Sequence, residues 1–224
     1  MTFSIVARCT RTDQLGMAVS SSSPAVAARC AHAKVGVGVV ASQNITDPRL
    51  GPKTLLVMAE GHSAPEAVKM IINTSKNADF RQLLAVDARG NAAIYSGSKS
   101  LGTHADFASH NAAAAGNLLA NPAIPEAMVT AFHQGTGHLG DRLIDAMRAA
   151  LALGGEAGAL HSAGLLLVGE QEWPMADLRC DWTEDCPIEA VAAAWNIYKP
   201  QMDDYIVRAL DPAKAPQYGV PGDE

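Results

Sequence analysis

Alternating apolar and polar side chains open the chain. Residues 2–10 (T-F-S-I-V-A-R-C-T) alternate and are rich in β-formers, which predicts a strand from the second residue onward. Arg11-Thr12-Asp13-Gln14 reads as a turn, and Leu15–Ser20 as the returning strand of a hairpin. Ser20–Ser23 runs into Pro24, a loop signal. Val35–Gln43 predicts a third strand, with Gly36 and Gly38 on one face where another layer can approach closely. The period then lengthens. Leu50–Glu60 has helical spacing and stops at Gly61, and Ser63-Ala64-Pro65-Glu66 is a capping box opening a helix to Asn73. Leu83–Asp87 and Ala92–Ser96 flank a turn as a second hairpin, and Asn111–Ala115 predicts a strand running into Gly116-Asn117. Helices are expected over Pro125–His133 and Gly140–Leu153, the latter closed by Gly154-Gly155. Ser162–Val168 and Asp177–Cys180 read as strands, Pro187–Tyr198 and Met202–Leu210 as helices.

Strands and helices thus come in segregated runs. That order favours antiparallel sheets covered by helices, an α+β chain, over alternating βαβ units. Residues 1–210 are expected to form one domain, and the Pro-rich residues 211–224 a flexible tail.

Composition adds one structural point. Only 5% of the 224 residues are aromatic, while roughly 40 are alanine and 19 glycine. A core filled with such small groups implies closely approaching layers. Charge then narrows the partners. Seventeen basic residues face 23 acidic ones without a Lys/Arg cluster, so no nucleic-acid partner is expected. The longest apolar runs fall far short of the roughly 20 residues that span a bilayer, so no membrane partner is expected either. No basic region followed by an apolar stretch opens the sequence, and a cytoplasmic location is the expectation. Cys9, Cys30, Cys180 and Cys186 lack C-x-x-C spacing and read as reduced, buried thiols. Gly36 and Gly38 lack the third glycine of a dinucleotide fingerprint, and no cofactor is expected. His104 and His110, like His133 and His138, lack the i, i+4 spacing of a helical zinc motif, so no metal is assigned. A metal-dependent hydrolase using His104, His110 or His133 stands as a third reading. A G-x-S-x-G nucleophile turn is missing.

Position 2 carries the sharpest chemistry. Thr2 is small enough for Met1 to be removed enzymatically. The chain would then begin with a residue holding both a hydroxyl and a free α-amine. Such an amine has a pKa of about 7.7–8, so a sizeable fraction is neutral near pH 7 and can take the hydroxyl proton. Nucleophile and base then share one residue. The bland alternative is an ordinary Met-Thr start.

Context sharpens this reading. Lys34 follows Thr2 by 32 residues, after a strand, a turn, a second strand and a loop. That order resembles the opening of N-terminal-nucleophile hydrolases such as proteasome β-subunits, where a lysine lies beside the nucleophile. A further set of segments runs in order: Met1–Arg8, Leu15–Ser20, Ala33–Gln43, Leu50–Pro52, Ala85–Gly90, Ala115–Leu119, Ser162–Val168 and Asp177–Asp181. Together they resemble an uncharacterised bacterial family of the N-terminal-nucleophile hydrolase superfamily, over most of residues 1–195. The resemblance implies a four-layer α-β-β-α sandwich of two antiparallel sheets. It implies Thr2 as nucleophile, Lys34 as the neighbouring cation, and Asn117 with backbone N–H groups as oxyanion donors. Ser42, Gln43 and Gly116 fall on matching motifs and are candidate substrate contacts. Ser22 and Ser23 stand where larger residues are expected, and His161 where glutamine is expected; they join the candidate binding set. The implied reaction is cleavage of an amide or peptide bond in a small substrate. The alternative is a non-catalytic sandwich that binds a small molecule or assembles with itself, as a homodimer. Asp177-Leu178-Arg179 and Asp181 read separately as a salt-bridged edge strand or a recognition patch.

Overall fold

A computed structural model describes residues 2–219. Its strands are β1 (Thr2–Arg8), β2 (Leu15–Ser21), β3 (Ala31–Lys34), β4 (Gly38–Asn44), β5 (Arg81–Asp87), β6 (Ala92–Ser96), β7 (Ala105–Ser109), β8 (Ala112–Asn117), β9 (Ser162–Val168) and β10 (Ala176–Cys180). Its helices are α1 (Val26–Cys30), α2 (Leu50–Ala59), α3 (Ala64–Thr74), α4 (Ile124–Gln134), α5 (Leu139–Ala152), α6 (Pro187–Tyr198) and α7 (Met202–Leu210). Six strands form one sheet in the order β10-β9-β2-β1-β8-β7, and four form a second in the order β3-β4-β5-β6. Every neighbouring pair is antiparallel.

Side-chain alternation divides the core into three layers. Phe3, Ile5 and Ala7 of β1 face outward against Phe132 of α4, Leu143 and Met147 of α5 and Trp195 of α6. Val6 of the same strand joins Met17, Val19, Val39, Ala41, Leu84 and Val86 between the sheets. Val40, Leu83 and Ala85 cover the far side with Leu55, Met58, Val68 and Ile71 of α2 and α3. The result is an α-β-β-α sandwich with two antiparallel sheets, as the family resemblance implied; the order of elements alone had pointed to antiparallel sheets covered by helices. Each large apolar side chain buried in these layers contributes about 1.5–3 kcal/mol relative to exposure.

Small residues do set the layer spacing, though not at every glycine expected to. Ala112–Ala115 are all buried in β8, beneath α4. A Cβ at Gly164 would overlap the Ala27 side chain of α1, which inserts between the sheets. Gly140 seats the Trp195 ring, where a Cβ would lie 2.5 Å from Cζ2. Gly36 is different. It adopts φ +67° with open space around it and lies in a tight turn rather than in a strand. The expected strand over Val35–Gln43 therefore begins only at Gly38, as β4, and residues 35–37 form the turn that joins it to the preceding strand β3, which the sequence pattern did not predict. The Ser63–Glu66 capping box forms: Glu66 Oε2 accepts from the Ser63 N–H at 2.8 Å. In the expected tail, Pro212–Lys214 makes a 3-10 turn and Arg208 donates to the Pro216 carbonyl at 2.9 Å. Residues 220–224 of that tail, and Met1, lie outside the described residues.

Candidate functional site

The site is built around one end of β1. Thr2 begins the strand and stands opposite Asn117 of β8. On the other flank, Phe3 is opposite Ser20, so the next residue, Ser21, adjoins Thr2. Alternation points Thr2 and Ser4 toward the second sheet, the side to which Val6 also points. Only 5% of Thr2 is exposed.

The hydroxyl of Thr2 enters a chain of hydroxyls. Thr2 Oγ1 donates to Ser21 Oγ at 3.3 Å. Ser21 Oγ lies 2.8 Å from Ser23 Oγ and accepts from the Ser23 N–H at 3.1 Å. Arg29 of α1 closes the chain, donating from Nη2 to Ser23 Oγ at 3.0 Å and from Nη1 to the Ala25 carbonyl at 3.0 Å. The turn is pinned from β9 as well: Ser162 Oγ donates to the Ser23 carbonyl at 2.6 Å and accepts from the Val26 N–H at 3.2 Å. A guanidinium therefore reaches the Thr2 hydroxyl through two serines.

A second wall is a buried amide network between the sheets. Ser4 Oγ donates to Gln43 Oε1 at 2.6 Å, and Gln43 Nε2 donates to the Ala115 carbonyl at 3.1 Å and to Gln82 Oε1 at 3.2 Å. Gln82 Oε1 also accepts from Asn117 Nδ2 at 3.0 Å, while Gln82 Nε2 donates to the Gly116 carbonyl and to Ser96 Oγ, both at 3.1 Å. Because Gln82 Oε1 needs a donor, the Asn117 amide presents nitrogen to Gln82. Its Oδ1 is left buried without a hydrogen-bond partner.

The third wall is Glu156, in the loop after α5. A bridge pairs Glu156 with Leu119, and the Ala157 N–H donates to the Leu118 carbonyl at 2.9 Å, which ties the loop to the segment just past Asn117. Only 4% of Glu156 is exposed. Its Oε2 accepts from the Ser22 N–H at 3.2 Å, and its Oε1 is buried with no partner. Burial pushes its carboxyl up to about 7, against the opposing pull of the chain's positive amino terminus, the Ser22 hydrogen bonds and His161. His161 is near: its N–H donates to the Ser21 carbonyl at 2.9 Å, and its ring stacks on Trp182 with centroids 4.2 Å apart. Nδ1 of that ring sits 2.8 Å from the Thr183 carbonyl, which can only accept, so Nδ1 carries the proton.

Thr2, Asn117, Gly116, Gln43, Ser22, Ser23 and His161 are thus gathered around one end of the sandwich. Two expected residues are elsewhere. Ser42 points to the opposite face of β4, where its Oγ donates to the Asp47 carbonyl at 3.0 Å. Lys34 is exposed and opposite Gly38, at the other end of β4 from Gln43. Five residues of strand separate those positions, about 17 Å at the usual rise. The cause is local: helix α1 and the short β3 consume the linear spacing, and the Gly36 turn leaves Lys34 at the wrong end. There it lines a cleft of about 470 Å³ with His32, Asp177 and Arg179. Asp177 and Arg179 form the expected edge-strand salt bridge, at 2.7 Å. Arg29, Gln82, Glu156 and Ser162 enter the site without having been singled out, and Ser21 only as part of the Ser20–Ser23 run. Among the described residues, no three His, Cys, Asp or Glu side chains form a metal-binding group; His133, for example, lies 2.7 Å from Ser109 Oγ. Among the described residues no helix is long and apolar enough to cross a membrane.

The layered fold is an α-β-β-α sandwich with a hydroxyl- and amide-rich end at which the first strand places Thr2. Comparison with known families then places the chain: residues 2–191 match DUF1028, a family of unknown function, and the chain belongs to it. The crystal structure of protein SPO2555 from Silicibacter pomeroyi, described as a member of the same family, is similar at 29% identity and a TM-score of 0.82. It covers 88% of this chain and 89% of that one. Anbu, the ancestral beta-subunit from Yersinia bercovieri, aligns over 91% of this chain and 97% of its own at 10% identity. Its TM-score of 0.40 is too low to carry a functional argument. No curated protein matches the chain significantly.

Proposed function

We propose that this protein is an N-terminal-nucleophile amidohydrolase that cleaves an amide or peptide bond in a small substrate. The observation that carries the reading is the Thr2 hydroxyl, held at the first position of a central strand and hydrogen-bonded to Ser21. Once Met1 is removed, the Thr2 α-amine takes the hydroxyl proton and Oγ1 attacks the substrate carbonyl. The second N–H of the Asn117 amide is the donor on offer to the oxyanion. The proton passes from the amine to the leaving nitrogen, leaving an ester on Thr2 that water hydrolyses. Arg29, acting through Ser23 and Ser21, supplies the positive charge that Lys34 is too distant to give.

The test joins two measurements. Intact mass of the protein from its own cells should show Met1 absent, and Thr2→Ala should abolish turnover in an amide library. Retained Met1 in most molecules, or unchanged turnover in Thr2→Ala, rejects the proposal. A second reading, a non-catalytic small-molecule-binding sandwich, is favoured by the separate cleft beside Lys34. Ligand binding lost in Lys34→Ala but kept in Thr2→Ala would support it.

A further inference from the structure

Glu156 is a buried titratable group at the Thr2 end of the sandwich that the amide-cleavage scheme does not use. We propose that it positions the Thr2 α-amine: its unpartnered carboxylate oxygen accepts an N–H of that amine and holds it beside the Thr2 hydroxyl. This inference rests on the amidohydrolase reading and adds a residue to it.

Three observations carry the assignment. Glu156 is fixed by its backbone bridge to Leu119, two residues beyond the Asn117 that pairs with Thr2. One carboxylate oxygen is tethered to the Ser22 N–H, the residue after the Ser21 that accepts from Thr2. The other oxygen is buried and has no partner, an arrangement that a carboxylate keeps only at a cost unless a donor is supplied. Freed by loss of Met1, the Thr2 amine is a donor that originates at this same corner. The Arg29 guanidinium at this corner is already engaged by Ser23 and the Pro24 and Ala25 carbonyls.

The contact has a chemical use. When the amine takes the hydroxyl proton it becomes an ammonium, and the carboxylate stabilises that charge in a site with little water. The proton moves from Oγ1 to the amine nitrogen and later to the leaving nitrogen. Glu156 keeps the same protonation throughout.

The experiment uses the full chain released from a cleavable N-terminal fusion so that it begins at Thr2. The amine is titrated by the pH dependence of its reductive methylation, read on the N-terminal peptide by mass spectrometry, in wild type and Glu156→Gln. The Gln side chain keeps an acceptor for the Ser22 N–H. A carboxylate partner raises an amine pKa by about one unit or more, so at a pH above about 7, where Glu156 is ionised, and below both amine values the Glu156→Gln amine should react about tenfold faster. Matching titrations in two folded proteins overturn the proposal. Should Glu156→Gln not fold, NMR of wild type labelled at the Thr2 nitrogen and the Glu156 carboxyl decides. The two signals should share a titration step, and independent steps overturn the assignment. Amidase activity separates this inference from the reading beneath it. Linked titrations in an inactive chain leave the contact standing and reject the hydrolase, whereas an active chain with unlinked titrations does the reverse.

Discussion

Gln82→Met tests the account of how the two sheets are held at the site. Gln82 is fully buried and makes four hydrogen bonds, to Gln43, Asn117, Ser96 and the Gly116 carbonyl. Methionine keeps nearly the same volume, so the cavity contribution is small. The polar losses are unequal. Gln43 Nε2 retains the Ala115 carbonyl, and Ser96 Oγ retains Asp106. Asn117 Nδ2 loses its acceptor, and an orphaned buried donor costs about 1–3 kcal/mol. Adding about 0.5–1.5 kcal/mol for each of the three remaining bonds gives an expected loss of roughly 5 kcal/mol. Equilibrium unfolding in urea reads it as a lower midpoint at unchanged slope. The sharper test is a cycle with Asn117→Ala. That change removes the orphan, so the double variant should be about 1–2 kcal/mol more stable than the sum of the single losses. Additivity to within about 0.5 kcal/mol would refute the network as drawn.

Two further outcomes follow from packing and charge. Gly140→Ala drives a Cβ to 2.5 Å from the Trp195 ring, which is pinned by its Nε1 bond to Asp141 at 2.8 Å. Overpacking of this kind costs about 1–3 kcal/mol, so the melting temperature should fall, and an unchanged value contradicts the packing. The Glu156 carboxyl titrates near 7 when folded against an ordinary 4.5. Between those values the folded chain holds a proton that the unfolded chain has lost. The stability this residue supplies is therefore full below about pH 4.5 and lost as pH rises through 7, by up to about 3 kcal/mol. Glu156→Gln stays neutral and should gain on wild type across that window; parallel stability curves contradict the burial of the carboxylate.

How much could be read beforehand differs by element. The β1–β2 hairpin was legible because both strands alternate, and α3 because Ser63 and Glu66 declare its start. Helix α1 was not, since five residues carry too little period to recognise, and Arg29 was hidden with it. Strand β7 was missed because most of its side chains are exposed and it carries no apolar stripe. Glu156 sits in a glycine-rich loop without periodicity, and the bridge to Leu119 and the Ser22 hydrogen bond bring it to the corner where Thr2 starts its strand. Its sequence signal was faint: a lone acid among small residues between a helix and a strand. Lys34 shows the opposite failure. Its spacing from Thr2 was suggestive along the chain, yet the turn at Gly36 carried it to the other end of the sandwich.

The central claim is that chemistry depends on Thr2 being the first residue. The most direct measurement compares two forms of one protein, one beginning at Thr2 and one retaining Met1, for hydrolysis of the same amide. The account predicts turnover by the first form and none by the second, because a peptide bond removes the amine's basicity. Equal turnover by both forms, or by neither across a broad amide set, would contradict it.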